Sequence, residues 1–385
     1  MKVVIAIDSF KGSCTSKEAG EAVARGIHQA LPDAEALILP VADGGEGTVD
    51  AILACGGERK TCVVSDPLGG KVTASYGVLP KGVAVMEMSA ASGLLLVPPE
   101  RRDALRASTY GTGEMIRAAL DGGYRRFLIG LGGSATTDGG AGMAQALGAS
   151  LRDCDGRELP CGGMALEKLH HIDVSRLDPR LKACDFTCAV DVQNTLCGAK
   201  GAAAVYGPQK GVTPEMVQPL DQALFNYAAV VRRDLGIELL SLAGGGAAGG
   251  LGAGLFAFAN AAFEPGIDAV LNILDFERKL AGADLVMTGE GRMDSQTASG
   301  KVPVGIARRV KATGKIPVFA LVGGASAEAD AVYQHGIDGI FPIADGPITM
   351  EESCARVKEL LARTAEALTR GCVAIRRQLL QENKE

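Results

Sequence analysis

The 385-residue chain is 47% hydrophobic and 22% charged, with a formal net charge of −6, four histidines, ten cysteines and no tryptophan. That length exceeds one ordinary core and fits two domains, and the composition is that of a soluble globular chain. The absence of any basic run and the sparse aromatics argue against nucleic-acid binding, and no membrane span is expected.

Residues 1–8 turn polar at Asp8, too early for a signal-peptide core, so a cytoplasmic protein is expected. The cysteines show no C-x-x-C pair, and Cys184 and Cys188 are the nearest two, as expected of thiols in a reducing compartment. His28, His170, His171 and His335 stand outside every glycine-rich loop. Hydrolytic triads and His-based zinc sites are thereby disfavoured, which leaves carboxylates, lysines and arginines to carry chemistry.

In chain order, residues 3–7 are a β-branched run that predicts a strand ending in Asp8-Ser9-Phe10-Lys11-Gly12-Ser13. Residues 16–31 have helical periodicity with Ser16 as the expected N-cap. A second strand over 36–41 leads through Ala42-Asp43-Gly44-Gly45-Glu46-Gly47-Thr48 into a helix to about residue 55. Shorter strands are expected at 59–65, 72–78 and 83–88, and the turn Asp66-Pro67-Leu68-Gly69-Gly70 separates the first two. Small-residue helices follow over 90–96 and from Thr109-Tyr110-Gly111-Thr112-Gly113-Glu114 to about residue 120.

Residues 127–129 read as a buried strand, 132–140 as a loop of glycine and hydroxyl residues, and 141–147 as helical. A strand feeding a Gly-Gly-Ser turn at a helix start points backbone N–H groups at one spot, because glycine admits close approach and positive φ. Phosphate is the expected guest; a tight turn with Ser134 or Thr136 as a helix cap is the alternative. A turn or hairpin is expected over 152–159, and a strand over 186–192 ending at Asp191-Val192-Gln193-Asn194. A further glycine-rich loop, 197–211, precedes a long helix over 213–235.

Residues 243–252 contain a G-x-G-x-x-G string, but late in the chain and outside the βαβ context of a dinucleotide site. Close helix packing or a mobile junction stands beside ligand contact there. Strands at 284–288, 316–322 and 340–343 then alternate with helices at 301–312, 325–335 and 350–379. This predicts an α/β protein of two α/β domains. One is discontinuous, 1–85 and 284–385, with a mainly parallel doubly wound sheet. The other, glycine-rich, is inserted over 86–283.

Ligands of open α/β sheets collect at the carboxyl ends of the strands. The loops there pair charge with glycine: Asp8 with Lys11, Asp43 with Glu46, Asp138, Asp191 with Asn194, and Glu290 with Arg292, Asp294 and Lys301. A lone aspartate at a strand end is usually only a helix cap. Together these loops supply what phosphoryl transfer needs: donors and cations around phosphates, carboxylates for Mg²⁺, and a base beside the acceptor hydroxyl. The P-loop pattern G-x-x-x-x-G-K-[ST] and the protein-kinase signatures are absent.

The chain resembles the type I glycerate kinases along nearly its whole length. The motifs are Asp-Ser-Phe-Lys-Gly-Ser (8–13), Ala-Asp-Gly-Gly-Glu-Gly-Thr (42–48), Tyr-Gly-Thr-Gly-Glu (110–114), Gly-Gly-Ser-Ala-Thr-Thr-Asp-Gly-Gly (132–140), Tyr-Gly-Pro-Gln-Lys-Gly (206–211) and Thr-Gly-Glu-Gly-Arg-Met-Asp (288–294). The resemblance implies ATP-dependent phosphorylation of D-glycerate, expected at the 2-hydroxyl to give 2-phosphoglycerate. Thr137 stands where the family usually has Asn, and Asn194-Thr195 replaces the usual Asn-Pro; the first change bears on a nucleotide contact and the second loosens a turn.

Within that reading Gly132, Gly133, Ser134, Thr136, Asp138 and Gly139 form the nucleotide side. Arg292, as a bidentate fork, orients the glycerate carboxylate, and Lys11, as a point charge, serves either that carboxylate or, as a catalytic residue, the transferring phosphoryl group, with Ser9 beside them. Asp191 is the expected general base and Asp294 its competitor. Asp8, Asp43 and Glu290 are the candidate Mg²⁺ ligands. Attack from the 3-hydroxyl, another small hydroxy acid as acceptor, a non-catalytic small-anion sensor and a nicotinamide dehydrogenase remain the competing readings. Closure of two domains over the acceptor would expel water, with 244–252 and the crossings near 85 and 283 as hinge material.

Overall fold

The computed structural model describes residues 1–295 and 297–382. Its strands are β1 (Lys2–Ile5), β2 (Glu35–Ile38), β3 (Glu58–Ser65), β4 (Lys71–Val78), β5 (Val83–Glu87), β6 (Arg126–Gly130), β7 (Ser150–Arg152), β8 (His171–Asp173), β9 (Asp185–Ala189), β10 (Ala262–Glu264), β11 (Leu285–Met293), β12 (Val318–Ala325) and β13 (Gly339–Pro342). The chain divides into two compact units, one of residues 1–43, 50–55 and 270–385, the other of residues 44–49 and 56–269.

The first unit holds a parallel five-stranded sheet in the order β13-β12-β11-β1-β2. Val3, Val4 and Ile5 of β1 are completely buried, as expected of a central parallel strand covered on both faces. Ile27 of helix Ser16–Ala30 and Leu360 and Leu361 of helix Met350–Glu382 join that core. The first helix is capped by Thr15 rather than Ser16: Thr15 Oγ1 accepts from Glu18 N, and the Glu18 carboxylate accepts from Thr15 N. Ser16 is buried instead, donating to Ile7 O at 2.6 Å and accepting from Val41 N at 2.9 Å, so it ties the ends of two strands together. Because β1 lies between β2 and β11, the strand order reverses at β1, and the crevice at the carboxyl ends of β1 and β11 is the topological switch point.

The second unit holds a six-stranded sheet in the order β10-β9-β6-β5-β4-β3, in which β4 alone runs opposite to the rest, antiparallel to both β5 and β3. The observed division differs from junctions at 85/86 and 283/284. Strands β3 to β5 belong to this second sheet because β5 pairs with β6, Val85 opposite Leu128. Residues 44–49 also belong here. A Cβ on Gly130 would lie 2.2 Å from the Gly44 carbonyl oxygen, so these two loops pack backbone to backbone, and Val49 N donates to Glu87 Oε1 at 2.8 Å. Phe127 and Phe186 stack across β6 and β9 with centroids 4.4 Å apart. The turn expected over 152–159 is a bridge between Arg152 and Glu158 beside the β7–β8 pair.

The glycine-rich stretch 243–252 is packing material. Ala248, Gly249 and Gly250 adopt left-handed backbone at the start of helix Ala247–Ala259. A Cβ on Gly249 would stand 1.8 Å from the Thr136 carbonyl oxygen. No helix among the described residues is long and apolar enough to cross a membrane.

Candidate active site

In the first unit a pocket of about 570 Å³ opens at the switch point. It is lined by Asp8, Ser9 and Lys11 from the loop after β1, Asp43 after β2, Glu290 and Arg292 on β11, and Asp294 and Lys301 beyond it. The residues expected to hold substrate and metal are thus gathered in one unit. One local expectation changes: β11 runs on to Met293, so Glu290 and Arg292 are strand residues and not loop residues. Their register against Val322 and Gly324 of β12 holds them in place.

The pocket is crowded with acid. Asp8 is pushed up to about 7, first by burial, then by Asp43 and Glu290, against the pull of the Ser9 N–H, which donates to it at 2.7 Å, and of Lys11. Burial likewise raises Glu290, although Thr297 Oγ1 donates to its Oε1 at 2.6 Å and Lys301 opposes the shift. Lys11 and Arg292 are exposed at the mouth. Thr297 had no place in the sequence reading. Its hydroxyl serves Glu290 and also accepts from Asp294 N at 3.1 Å; the Asp-x-x-Thr spacing that makes this turn is the signal that was available.

Among the described residues no group of three or more His, Cys, Asp and Glu side chains is closed around a possible metal position. Magnesium, however, is commonly held by one or two carboxylates together with substrate phosphates and water. The mutual repulsion of Asp8, Asp43 and Glu290 fits such a hard cation, and these residues are the ones that would hold it.

In the second unit, the loop 132–140 joins β6 to helix Ala141–Ala146. Only its first part reaches the surface: Gly132 is half-buried and Gly133, at φ +69°, is exposed. Ser134 retains 7% exposure, whereas Thr136 and Asp138 are completely buried and Gly139 is buried. Of the nucleotide residues expected here, Thr136, Asp138 and Gly139 therefore lie beneath the surface and shape the loop from inside.

Asp138 shows how. Its carboxylate accepts from Thr109 N at 2.8 Å, Thr109 Oγ1 at 3.0 Å and Gly140 N at 3.1 Å. Burial raises its carboxyl, and these bonds pull it back. Gly139 N donates to Gly249 O and Ala135 N to Ser92 O, so part of the backbone is spent within the fold. Lys210, from the motif at 206–211, donates through Nζ to Ser134 Oγ and the Thr136 carbonyl. Asp191 also lies in this unit; it is exposed, and its Oδ1 accepts from Gly266 N at 2.8 Å. Thr195 Oγ1 donates to Cys197 O at 3.1 Å, a bond that braces its turn. The Thr137 hydroxyl is buried with no partner.

The profile of the glycerate kinase family matches residues 3–373. A glycerate kinase of Bacillus subtilis (strain 168) is 49% identical over 367 residues, 95% of this chain and 96% of that protein. A glycerate 2-kinase of Escherichia coli (strain K12) is 47% identical over 356 residues, 92% of this chain and 93% of that one. A crystal structure of a protein designated glycerate kinase 2 from Salmonella typhimurium LT2 superimposes with a TM-score of 0.90 at 48% identity, covering 98% of this chain and 99% of the other.

Proposed function

Because the chain belongs to the glycerate kinase family, we propose that it transfers the terminal phosphoryl group of ATP to the 2-hydroxyl of D-glycerate, giving 2-phosphoglycerate and ADP. The observation that carries the site assignment is the pocket at the switch point of the first unit, where Lys11 and Arg292 share a wall with Asp8, Asp43, Glu290 and Asp294. A small anionic acceptor needs that combination.

Arg292 receives the glycerate carboxylate through its planar fork, and Lys11 adds a point charge beside Ser9. Asp294 serves as base in this reading, because it lines the pocket that Arg292 and Lys11 line, with Asp191 as its competitor. The acceptor oxygen bonds to the terminal phosphorus as the bond from that phosphorus to the ADP oxygen breaks, and the hydroxyl proton passes to an Asp294 carboxylate oxygen. Asp8, Asp43 and Glu290 would hold Mg²⁺, whose charge offsets that of the phosphates. Gly132, Gly133 and Ser134 supply donors to nucleotide phosphates from the second unit. The pocket volume of about 570 Å³ is more than a three-carbon acid fills, and leaves space for the phosphates that accompany the metal.

All ten cysteines are free thiols, which supports placing the enzyme in a reducing cytoplasm. The test of function is a coupled ADP-release assay with D-glycerate, ATP and Mg²⁺, followed by ³¹P NMR of the product. Turnover to 2-phosphoglycerate is expected. A 3-phosphoglycerate resonance would reverse the regiochemistry, and a flat trace with D-glycerate and related hydroxy acids would favour a non-catalytic anion sensor.

A further inference from the structure

A lysine enclosed completely by protein loses the hydration of its charge, so its position calls for a reason. Lys210 is 1% exposed, at the end of the short turn Pro208–Lys210. Its Nζ lies 2.7 Å from Ser134 Oγ and 2.6 Å from the Thr136 carbonyl oxygen. Both contacts fall on the loop at 132–140, more than seventy positions back along the chain.

The direction of these bonds matters. The carbonyl of Thr136 only accepts, and Nζ is the donor to Ser134 as well. Ser134 Oγ therefore accepts a hydrogen bond from Lys210, and its own O–H is left to donate elsewhere. Ser134 directly follows Gly132 and Gly133, the part of the loop that reaches the surface. We infer that Lys210 is a positioning residue for the nucleotide: anchored by its bond to the Thr136 carbonyl, it clamps Ser134 Oγ so that the Ser134 O–H is left to donate to an anionic phosphate. This rests on the reading of that loop as a phosphate site.

The clamp keeps its donors whichever form the lysine takes, and the ammonium form fixes their direction. Burial lowers Lys210 to about 7, and the fully buried Asp138 is the charged group that opposes the shift. A neutral amine keeps two N–H groups for the same two acceptors. The unpartnered hydroxyls of Thr136 and Tyr227 are buried in this unit as well, but Lys210 is the group bonded to Ser134, the residue next to the surface part of the loop.

The test uses the full-length enzyme as wild type, Lys210→Met, Ser134→Ala and the double variant. Mg·ATP affinity is measured by calorimetry, with kcat, KM for D-glycerate and the thermal midpoint alongside. Both single variants are expected to weaken Mg·ATP binding about tenfold, on the order of one hydrogen bond to a charged group, with KM for glycerate unchanged. The double variant is expected to lose no more than either single one, because a side chain acting through Ser134 has nothing left to act on.

Wild-type ATP affinity in Lys210→Met, with a loss in Ser134→Ala, overturns the role of Lys210 alone. Wild-type affinity in Ser134→Ala overturns the phosphate reading of the loop itself. Additive losses, or equal losses for ATP and glycerate, mark a merely structural lysine and also overturn the inference. Should Lys210→Met not fold, Lys210→Gln, whose amide keeps donors for the clamp, is expected to lose less than tenfold and to regain nothing in the Ser134→Ala background. A further loss in that background overturns the inference.

Discussion

Thr137 carries a hydroxyl at complete burial with no protein partner, at a position where an amide is usual in the type I glycerate kinases. Replacing it by the isosteric Val removes an unsatisfied polar atom without opening a cavity. Thr137→Val should therefore raise stability by about 1 kcal/mol, read as an upward shift of the thermal midpoint; a fall would mean that the hydroxyl is satisfied. Lys210 carries a pH signature of its own. Its folded value of about 7 lies below that of an unfolded lysine near 10.5, so between those values the unfolded chain binds more protons and this group's contribution to stability rises with pH. The thermal midpoint of Lys210→Met relative to wild type should accordingly be most favourable at pH 7 and below, and should decline as pH approaches 10.5; a pH-independent difference would contradict the buried charge. At the pocket, Asp294→Asn should lower kcat by about 10²-fold or more with ATP affinity retained, and Asp191→Asn should stay within a few-fold. The opposite pattern restores Asp191 as the base.

At the scale of elements, two features place these residues. Strand β11 extends past its apolar start through Gly289 and Gly291, and so carries Glu290 and Arg292 at fixed registers against β12. The loop at 132–140 owes its form to the glycine-rich start of helix Ala247–Ala259, whose left-handed residues let two backbones touch. Gly249→Ala would place a Cβ 1.8 Å from the Thr136 carbonyl oxygen at a φ of +69°. A loss of roughly 4 kcal/mol or more is expected from strain and overlap together, visible as a large drop in thermal midpoint or as insoluble protein. A near-neutral substitution would show that the junction yields.

Across the whole molecule, the proposed function divides its ligands between the units. Hydrogen exchange with D-glycerate should slow amides at 8–13 and 290–294, and Mg·ATP should slow those at 132–134. Protection of 132–134 by glycerate alone would exchange the assignments. The sequence by itself determined the alternating βα pattern, the glycine loops at strand ends, the family and the acidic cluster around Lys11 and Arg292, because periodicity, backbone permissiveness and residue chemistry are local properties. Only the tertiary structure decided that β3 to β5 complete the second sheet, since pairing of Val85 with Leu128 joins segments far apart in the chain. It also decided which members of the loop at 132–140 face outward. Ser134 and Thr136 look equivalent as hydroxyls in a glycine loop, yet one keeps a path to the surface and the other is enclosed. That difference comes from what packs behind them, Lys210 and Gly249, and burial by distant residues leaves no mark on local spacing.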